Sequence, residues 1–535
     1  MPASVVEYGT RRTLVVGAVM LAALIQLADT TIVNVALPTI DGALGASVDE
    51  GAWFVTAYII ANVIFIPLSP WFQTLLGRKN YFALSIAGFT ITSVLCGLTN
   101  DSSSEIGLRF LQGAFGGGLM VPAQQIMRDT FPAAELAKSQ SLFALAVVLG
   151  PTLGPTLGGL LTDNLSWRWV FFVNVLPGVA ATILVLLFLR DPMPRKRVPF
   201  DVFGVALLAV GLGTLQYVLD EGERDGWFDD TRICLAAVVS VVTLVGFVVW
   251  ELFGARTPGV ALRTFRHRTV WALAVIYFAV AGGLFASIFV QPQWAQTSLG
   301  FTTTLAGMLL MVRTGVLVLL YPVTTWVTSQ AARWDMRLVA AGGLFLAGLG
   351  PWLQADVMTT HTPFIALVAT QLLGGVGYAF IWVPLSVVLF KTVPQAEIPS
   401  ALALTRLVQQ IGASVGSAYA ATLLDRSYDR ALNTLAGSIS LHSAAVASLV
   451  AAHGAQAIAQ LSTLVSNEAQ NIAATEATRF FALATMLAAV LPFLLKRYRE
   501  QPAAPQTLVP PTMPATSATP ASREALPPAR ELALR

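Results

Sequence analysis

Apolar residues along this chain fall in long continuous blocks separated by short polar stretches, without the two-residue alternation of strands. A helix needs roughly 20 apolar residues to cross a hydrocarbon core. Fourteen such segments are predicted, near residues 14–37, 51–71, 81–99, 106–125, 139–162, 169–189, 202–219, 233–250, 269–290, 304–326, 338–354, 363–389, 400–424 and 480–495. The first is interrupted. "QLADTTIVNVALPTI", residues 26–40, sets Asp29 inside a stretch otherwise fit for lipid, where a carboxylate is costly.

Composition agrees with the pattern. Of 535 residues, 55% are hydrophobic and only 11% charged, with mean hydropathy +0.69, whereas soluble domains carry about 25% charged residues. An all-α, multi-pass membrane protein is expected. Cys96 and Cys234 fall in apolar segments and read as small buried hydrophobes, not as a disulfide or metal pair. The first block lacks a small-residue cleavage signal and runs to full spanning length, so no cleavable signal peptide is expected. Residues 501–535, rich in Pro, Ala, Ser and Thr, read as a disordered tail.

The net charge is only +3, but its distribution is informative. With the Pro-rich tail left out, connections that alternate onto the side of the N terminus hold 20 Lys and Arg, against six in the opposite set. The first set contains Arg11 and Arg12, Arg78 and Lys79, "RDPMPRKR" at 190–197 and "RTFRHR" at 263–268; the second contains the acidic "DEGERDGWFDD" at 220–230. The positive-inside rule then puts both the N and C termini in the cytoplasm. The expected organisation is a six-helix bundle over 1–189, a linker with two additional helices over 190–268, a second six-helix bundle over 269–500, and the tail. Residues 425–479 form a long outer loop with helical Ala/Gln/Ser periodicity, read as a small amphipathic cap in preference to a partner-docking element.

Four charges remain well inside the spans: Asp29, Arg109, Arg313 and Arg406. Intramembrane charges face the bundle interior or a wet cavity, and are functional candidates. For Arg109 and Arg406 the bland alternative is a long side chain reaching the interface. Arg313 sits near mid-span. Asp29 is too short to reach water, which leaves a functional carboxyl or a buried structural ion pair. Arg does not titrate in a working range, and His267, His361, His442 and His453 all lie in connections. Asp29 is therefore expected to be the only acid well inside, and the group that takes up and releases a proton.

Two further segments carry unusual spacing. "GLRFLQGAFGGGLMVPAQQIM" sets Arg109, Gly113 and Gly117 four apart on one helix face, with Gln112 beside them; small residues so spaced admit another helix closely. "LGPTLGPTLGGLL" repeats the device with Gly150, Gly154 and Gly158, followed by Gly159, and adds Pro151 and Pro155, each of which removes a backbone donor. Tight packing is one reading and a moving interface the other; the doubled GPTL unit favours movement.

"LADTTIVNVALPTI" resembles the span-one signature of fourteen-span drug:proton antiporters of the major facilitator superfamily (MFS). "RFLQGAFGGG" is similar to that superfamily's span-four motif, and "GPTLGPTLGG" to its antiporter motif in span five. "SWRWVFFVNVLPG", residues 166–178, resembles the opening of span six in the EmrB/QacA-like branch. The resemblance covers the first 500 residues. It implies the MFS fold, two six-helix bundles plus two extra central helices, and multidrug efflux by alternating access in the inner membrane, driven by the proton gradient without a cofactor. It also implies the pairing of Asp29 with Arg109, and partners in the form of a periplasmic adaptor and an outer-membrane channel. One motif departs. "PWFQTLLGRKNYF" keeps Gly77, Arg78 and Lys79 but has Pro70, Thr74 and Leu75 where the family carries Gly, Asp and Arg, which puts the family's cytoplasmic charge latch in doubt.

The interior tally of one acid against three arginines disfavours lipophilic dications, which need buried carboxylates to offset their desolvation. Neutral or weakly acidic amphiphiles are expected instead, with Arg313 or Arg406 as anion partner and Gln26 and Tyr58 in the binding region. Trp53, Tyr277, Trp294, Tyr321 and Trp382 offer aromatic surface, although each taken singly reads first as an interfacial anchor or core packing. A dedicated exporter of a single metabolite or siderophore is the alternative. No metal spacing, P-loop or nucleophile–base set appears, and the polar loops are too short for a catalytic domain, so no catalytic residue, metal or nucleic-acid partner is expected.

Overall fold

The computed structural model describes residues 6–190, 195–196, 198–255, 257–330, 333–438 and 455–497. The expected tail at 501–535, His442, His453 and residues 191–194 and 197 of the linker lie outside the described residues. The described chain is helical throughout, with no strand in it. Continuous apolar runs cannot satisfy their backbone in lipid except by closing hydrogen bonds along the helix itself.

The first half contains α1 (Gly9–Leu44), α2 (Val48–Leu76), α3 (Arg78–Leu98), α4 (Ser102–Gly117), α5 (Met120–Thr130), α6 (Leu136–Asn164), α7 (Trp169–Phe172) and α8 (Val175–Phe188). Its core gathers Val19, Phe82, Ile86, Phe89 and Phe143. Two helices follow, α9 (Val202–Glu221) and α10 (Thr231–Val249). The second half contains α11 (Arg268–Thr297), α12 (Thr303–Ser329), α13 (Met336–Val357), α14 (Phe364–Ala379), α15 (Trp382–Thr392), α16 (Ile398–Ser438) and α17 (Ala455–Leu487). Its core gathers Leu273, Leu344, Ile381 and Leu385. Leu208 and Leu212 of α9 cluster with Val63 and Ile64 of α2 and Leu404 of α16, so the extra pair leans on both halves.

Among the described residues, twelve helical segments are long and apolar enough to cross a membrane, which makes this a multi-pass membrane protein. Two of the fourteen expected segments fall outside that set. The fourth is broken: α4 gives way to α5 at Gly118 and Leu119. The thirteenth, α16, carries Arg406, Gln409, Gln410, Asp425 and Arg426 along 41 residues. Both are nevertheless packed in the bundle, α4 against α2 and α3, and α16 against α11. The break recurs in the second half, where α14 gives way to α15 at Phe380 and Ile381.

The stretch expected as an outer loop, 425–479, is in its described part the continuation of two helices. At 1.5 Å per residue, α16 spans about 60 Å, twice the hydrocarbon thickness, and it packs along α17, with Tyr428 and Ser466 hydroxyls 3.0 Å apart. Residues 439–454 lie outside the described set.

Candidate functional site

Asp29 of α1 is fully buried, and the Arg109 guanidinium from α4 donates to its Oδ2 at 2.7 Å. Gln112, one turn further along α4, donates to Oδ1 at 3.1 Å, and Asn174 at the start of α8 donates to the same oxygen at 2.9 Å. Asn174 is held by Ser93 of α3 at 3.1 Å, and Ser93 in turn donates to the Phe171 carbonyl at 2.8 Å. Arg109 also donates through Nε to the Phe54 carbonyl at 2.9 Å and lies 4.4 Å from the centre of the Tyr58 ring. It is 1% exposed, so it does not reach the interface as a snorkelling side chain would. Every lone pair and proton of this pair that is engaged meets a fixed partner, the condition under which a buried ion pair is tolerated.

The expectation that Asp29 is the only acid well inside does not hold. Glu105, one turn before Arg109, is also fully buried. Hydropathy places the edge of the span at 106, but α4 begins at Ser102, capped by Asp101, and its first turn already lies beneath α3. Asn174 and Ser93 were equally invisible, because a polar side chain in an apolar run shows its role only once distant helices meet.

The antiporter-like segment presses on the turn of α1 that carries Asp29. A Cβ on Gly150 would stand 2.5 Å from Leu27 Cβ, one on Gly154 would fall on Thr31 Oγ1 and 2.9 Å from the Ala28 carbonyl, and one on Gly158 would stand 2.7 Å from the Ile32 carbonyl. The prolines have a partner in the same contact. Pro155 has no N–H to offer the carbonyl of Pro151, and Thr31 Oγ1 donates to that carbonyl at 3.2 Å. Gly159 is buried in the same helix. On the other side, a Cβ on Gly113 would meet the Tyr58 backbone, and one on Gly117 would stand 2.7 Å from the Asn62 carbonyl, so α4 lies directly on α2.

Beside this contact, between the two halves, is a cavity of about 70 Å³. Gln26, Thr152, Arg313, Thr314, Trp382 and Arg406 are among its walls. Arg313 donates to Ser287 Oγ at 3.1 Å, and Arg406 to Gln409 and Gln124 at 3.0 and 3.2 Å. Neither forms an ion pair with a carboxylate among the described residues. Tyr58 is not on the wall; its hydroxyl donates to the Gln26 carbonyl at 3.3 Å. Of the other aromatics, Tyr277 stacks on Trp382, Trp53 stacks on Tyr217, Trp294 donates to Asn471, and Tyr321 donates to the Lys138 carbonyl. At this volume the cavity holds water and not a drug-sized molecule, for which pockets run about 300–1,000 Å³.

Between α2 and α3, Gly77 takes φ 83°, a backbone region open to glycine, which lets the two helices meet without a loop. Arg78 is buried and pairs with Asp129 at the end of α5. Thr74, at the position of the missing acid, donates to the Pro70 carbonyl, and its own carbonyl accepts from the Lys196 N–H. Lys79 follows on the first turn of α3.

The second half repeats the geometry of the buried pair without its charge. Gln371 of α14 donates to Gln291 of α11 at 2.7 Å, and Gln354 of α13 bonds both at 3.0 and 3.2 Å. The partners are 80 residues apart, as are Arg109 and Asp29. α11 corresponds to α1, and α14 to α4.

Residues 19–417 match the Major Facilitator Superfamily profile. The chain is 31% identical over 418 residues to the multidrug export protein EmrB of Escherichia coli (strain K12), covering 78% of this chain and 80% of that protein. It is 32% identical over 418 residues to the fatty acid resistance protein FarB of Neisseria gonorrhoeae, covering 76% and 79%. In three dimensions it is similar to the proton:xylose symporter XylE (TM-score 0.59, 14% identity, 90% of this chain and 95% of that one) and to the human organic anion transporter MFSD10 (TM-score 0.56, 14% identity, 90% and 99%). With a helical bundle in two matching halves, and a sequence that follows EmrB over most of its length, the chain belongs to the major facilitator superfamily, in its EmrB-like drug:proton antiporter family.

Proposed function

We propose that this protein exports amphiphilic compounds across the cytoplasmic membrane in exchange for protons, by alternating access of the central cavity. The observation that carries the reading is the Asp29–Arg109 pair: a buried acid, held against a fixed cation, on the turn of α1 that α6 grips. Protonation of Asp29 removes its charge, weakens its bonds to α4 and α8, and loosens α1 against α6, the helix that packs on α12 of the other half. In this reading α4–α5 and α16 complete fourteen spans, both termini are cytoplasmic, and no cofactor takes part. The long α16–α17 extension then lies on the outer side, where an adaptor protein would dock. The export role of the EmrB relatives supports the direction of transport. The test is efflux from energised cells before and after the pH gradient and membrane voltage are both collapsed. Efflux is expected to stop; efflux at full rate would end this reading.

The charges on the cavity walls favour substrates of neutral or weakly acidic character once alternating access has widened the cavity. Two guanidiniums without a carboxylate partner among the described residues face it, and a substrate acid would supply the missing anion. The fatty acid resistance attributed to FarB points the same way. Arg313→Gln combined with Arg406→Gln is expected to weaken binding of an aromatic acid such as naphthoate by about 1.5–3 kcal/mol, roughly ten- to a hundredfold. Binding of naphthamide, its neutral analogue, stays within twofold or so of the parent on the same argument. Equal losses for acid and amide, measured by calorimetry on purified protein, would remove the arginines from recognition. In a pump-deleted host, protection against quaternary ammonium dyes but not acids would overturn the substrate preference.

A further inference from the structure

Glu105 has no part in the mechanism so far. Its Oε2 accepts from Thr99 Oγ1 at 2.8 Å, while Oε1 is buried without an N–H or O–H donor. The groups that face it are the Cys96 thiol and Thr99 from α3, and Arg109 on its own helix, with Asp29 of α1 beyond. Arg168, after α6, is occupied by the Gly97 and Thr99 carbonyls and Asn100. No ion pair joins Glu105 to Arg109, although the two are four residues apart on one helix with the acid N-terminal, the spacing and order in which such pairs form readily.

Asp29, Arg109 and Glu105 are thus three ionisable groups sealed in one place, each 1% exposed or less. One guanidinium and two carboxyls are electrically neutral only when a single proton resides on one of the two acids. Any other count leaves an uncompensated charge in a dry interior, which is the costly outcome. With one oxygen bare of donors, Glu105 is poorly held as an anion and is the acid that the proton suits, and the fully bonded Asp29 is where an anion fits.

We propose that Glu105 and Asp29 share one exchangeable proton across Arg109. In the observed arrangement Glu105 carries it and Asp29 is the anion paired with Arg109. In the alternate arrangement the O–H bond of Glu105 is broken and one is formed on Asp29, and Arg109 turns back one turn to pair with Glu105. No net charge appears in either state. The exchange releases α1 from α4 while α4 keeps its cation paired. This deepens the proton-antiport reading and rests on it.

Infrared spectroscopy of the purified protein, which reads the C=O stretch of protonated carboxyls, tests the sharing without any substrate. The parent protein at neutral pH is expected to show a buried carboxylic band that Glu105→Gln abolishes and Glu105→Asp shifts. Asp29→Asn is expected to abolish it too, because Arg109 then needs Glu105 as its anion. A band that survives Glu105→Gln, or one that stays in place in Asp29→Asn, overturns the proposal. In vesicles, Glu105→Gln is expected to lower pH-driven naphthoate transport at least tenfold and flatten its pH profile; a parental pH profile overturns it. The reading beneath is judged separately, by whether parental efflux stops when the gradient is collapsed.

Discussion

Asp29→Asn protein reconstituted into vesicles is expected to exchange labelled substrate for unlabelled at a rate near that of the parent, yet to build no gradient when a pH difference is imposed. Asparagine keeps the length of the side chain and one acceptor for the Arg109 guanidinium, which stands 2.7 Å from Asp29 Oδ2. It cannot take up or lose a proton, so the two halves rock without being linked to pH. Removing the anion also forces Arg109 to take Glu105 as its counter-charge, so the cost stays below the roughly 3–5 kcal/mol of a buried charge left unpaired. A lowered melting temperature should accompany the loss of coupling. Arg109→Ala, which strips the cation instead, should destabilise comparably and lose coupling as well. Undiminished coupled transport by Asp29→Asn would remove this carboxyl from the mechanism.

Gly154→Val is expected to stop transport even though residue 154 touches neither the cavity walls nor the ion pair. A single Cβ there already collides with Thr31 Oγ1 and comes within 3.0 Å of the Ile32 N–H. Behind the Thr31 hydroxyl, the Ala28 carbonyl and the Ile32 N–H are backbone on a helix also held by Asp29, so α1 and α6 must separate. Overpacking of this kind costs about 1–3 kcal/mol in a rigid core. The separation also breaks the Thr31 bond that satisfies the Pro151 carbonyl. Gly17→Ala is the matched control: it lies on the same α1, nothing stands within 4 Å of the added carbon, and helix propensity favours the change. Normal transport by Gly154→Val would show that α1 and α6 have room to spare.

Much of this architecture was legible in the chain, because lipid imposes one rule on every segment: close the backbone bonds internally and be apolar for about 20 residues. The rule fails where a helix is broken or polar, at α4–α5 and α16, and those are helices that supply Arg109, Gln112 and Arg406. Asp29 and Arg109 stood out because charges in apolar runs are rare, and the structure places them in contact. Gln26, Arg313 and Arg406 share one cavity, whereas Tyr58 backs the guanidinium instead. Glu105 escaped notice because an average over 20 residues cannot locate a helix start to within a turn. Asn174 and the glutamines of the second half escaped because an amide draws no attention when charges are tallied, and only three-dimensional packing brings α1 to α8, or α11 to α14.

On the proposed mechanism, the glutamine pair sets a ceiling on what export can achieve. Gln291 and Gln371 hold the places that Asp29 and Arg109 hold in the other half, but an amide has no ionisation to exploit. On the proposed mechanism one hydrogen ion accompanies each turnover, and no second one is available through the twin seat. Each 100 mV across the membrane is worth about 2.3 kcal/mol per charge, which sustains at most about a fiftyfold excess of an uncharged cargo outside. A cell relying on this carrier against a freely permeating toxin would therefore gain a bounded dilution of the compound, however many copies it made.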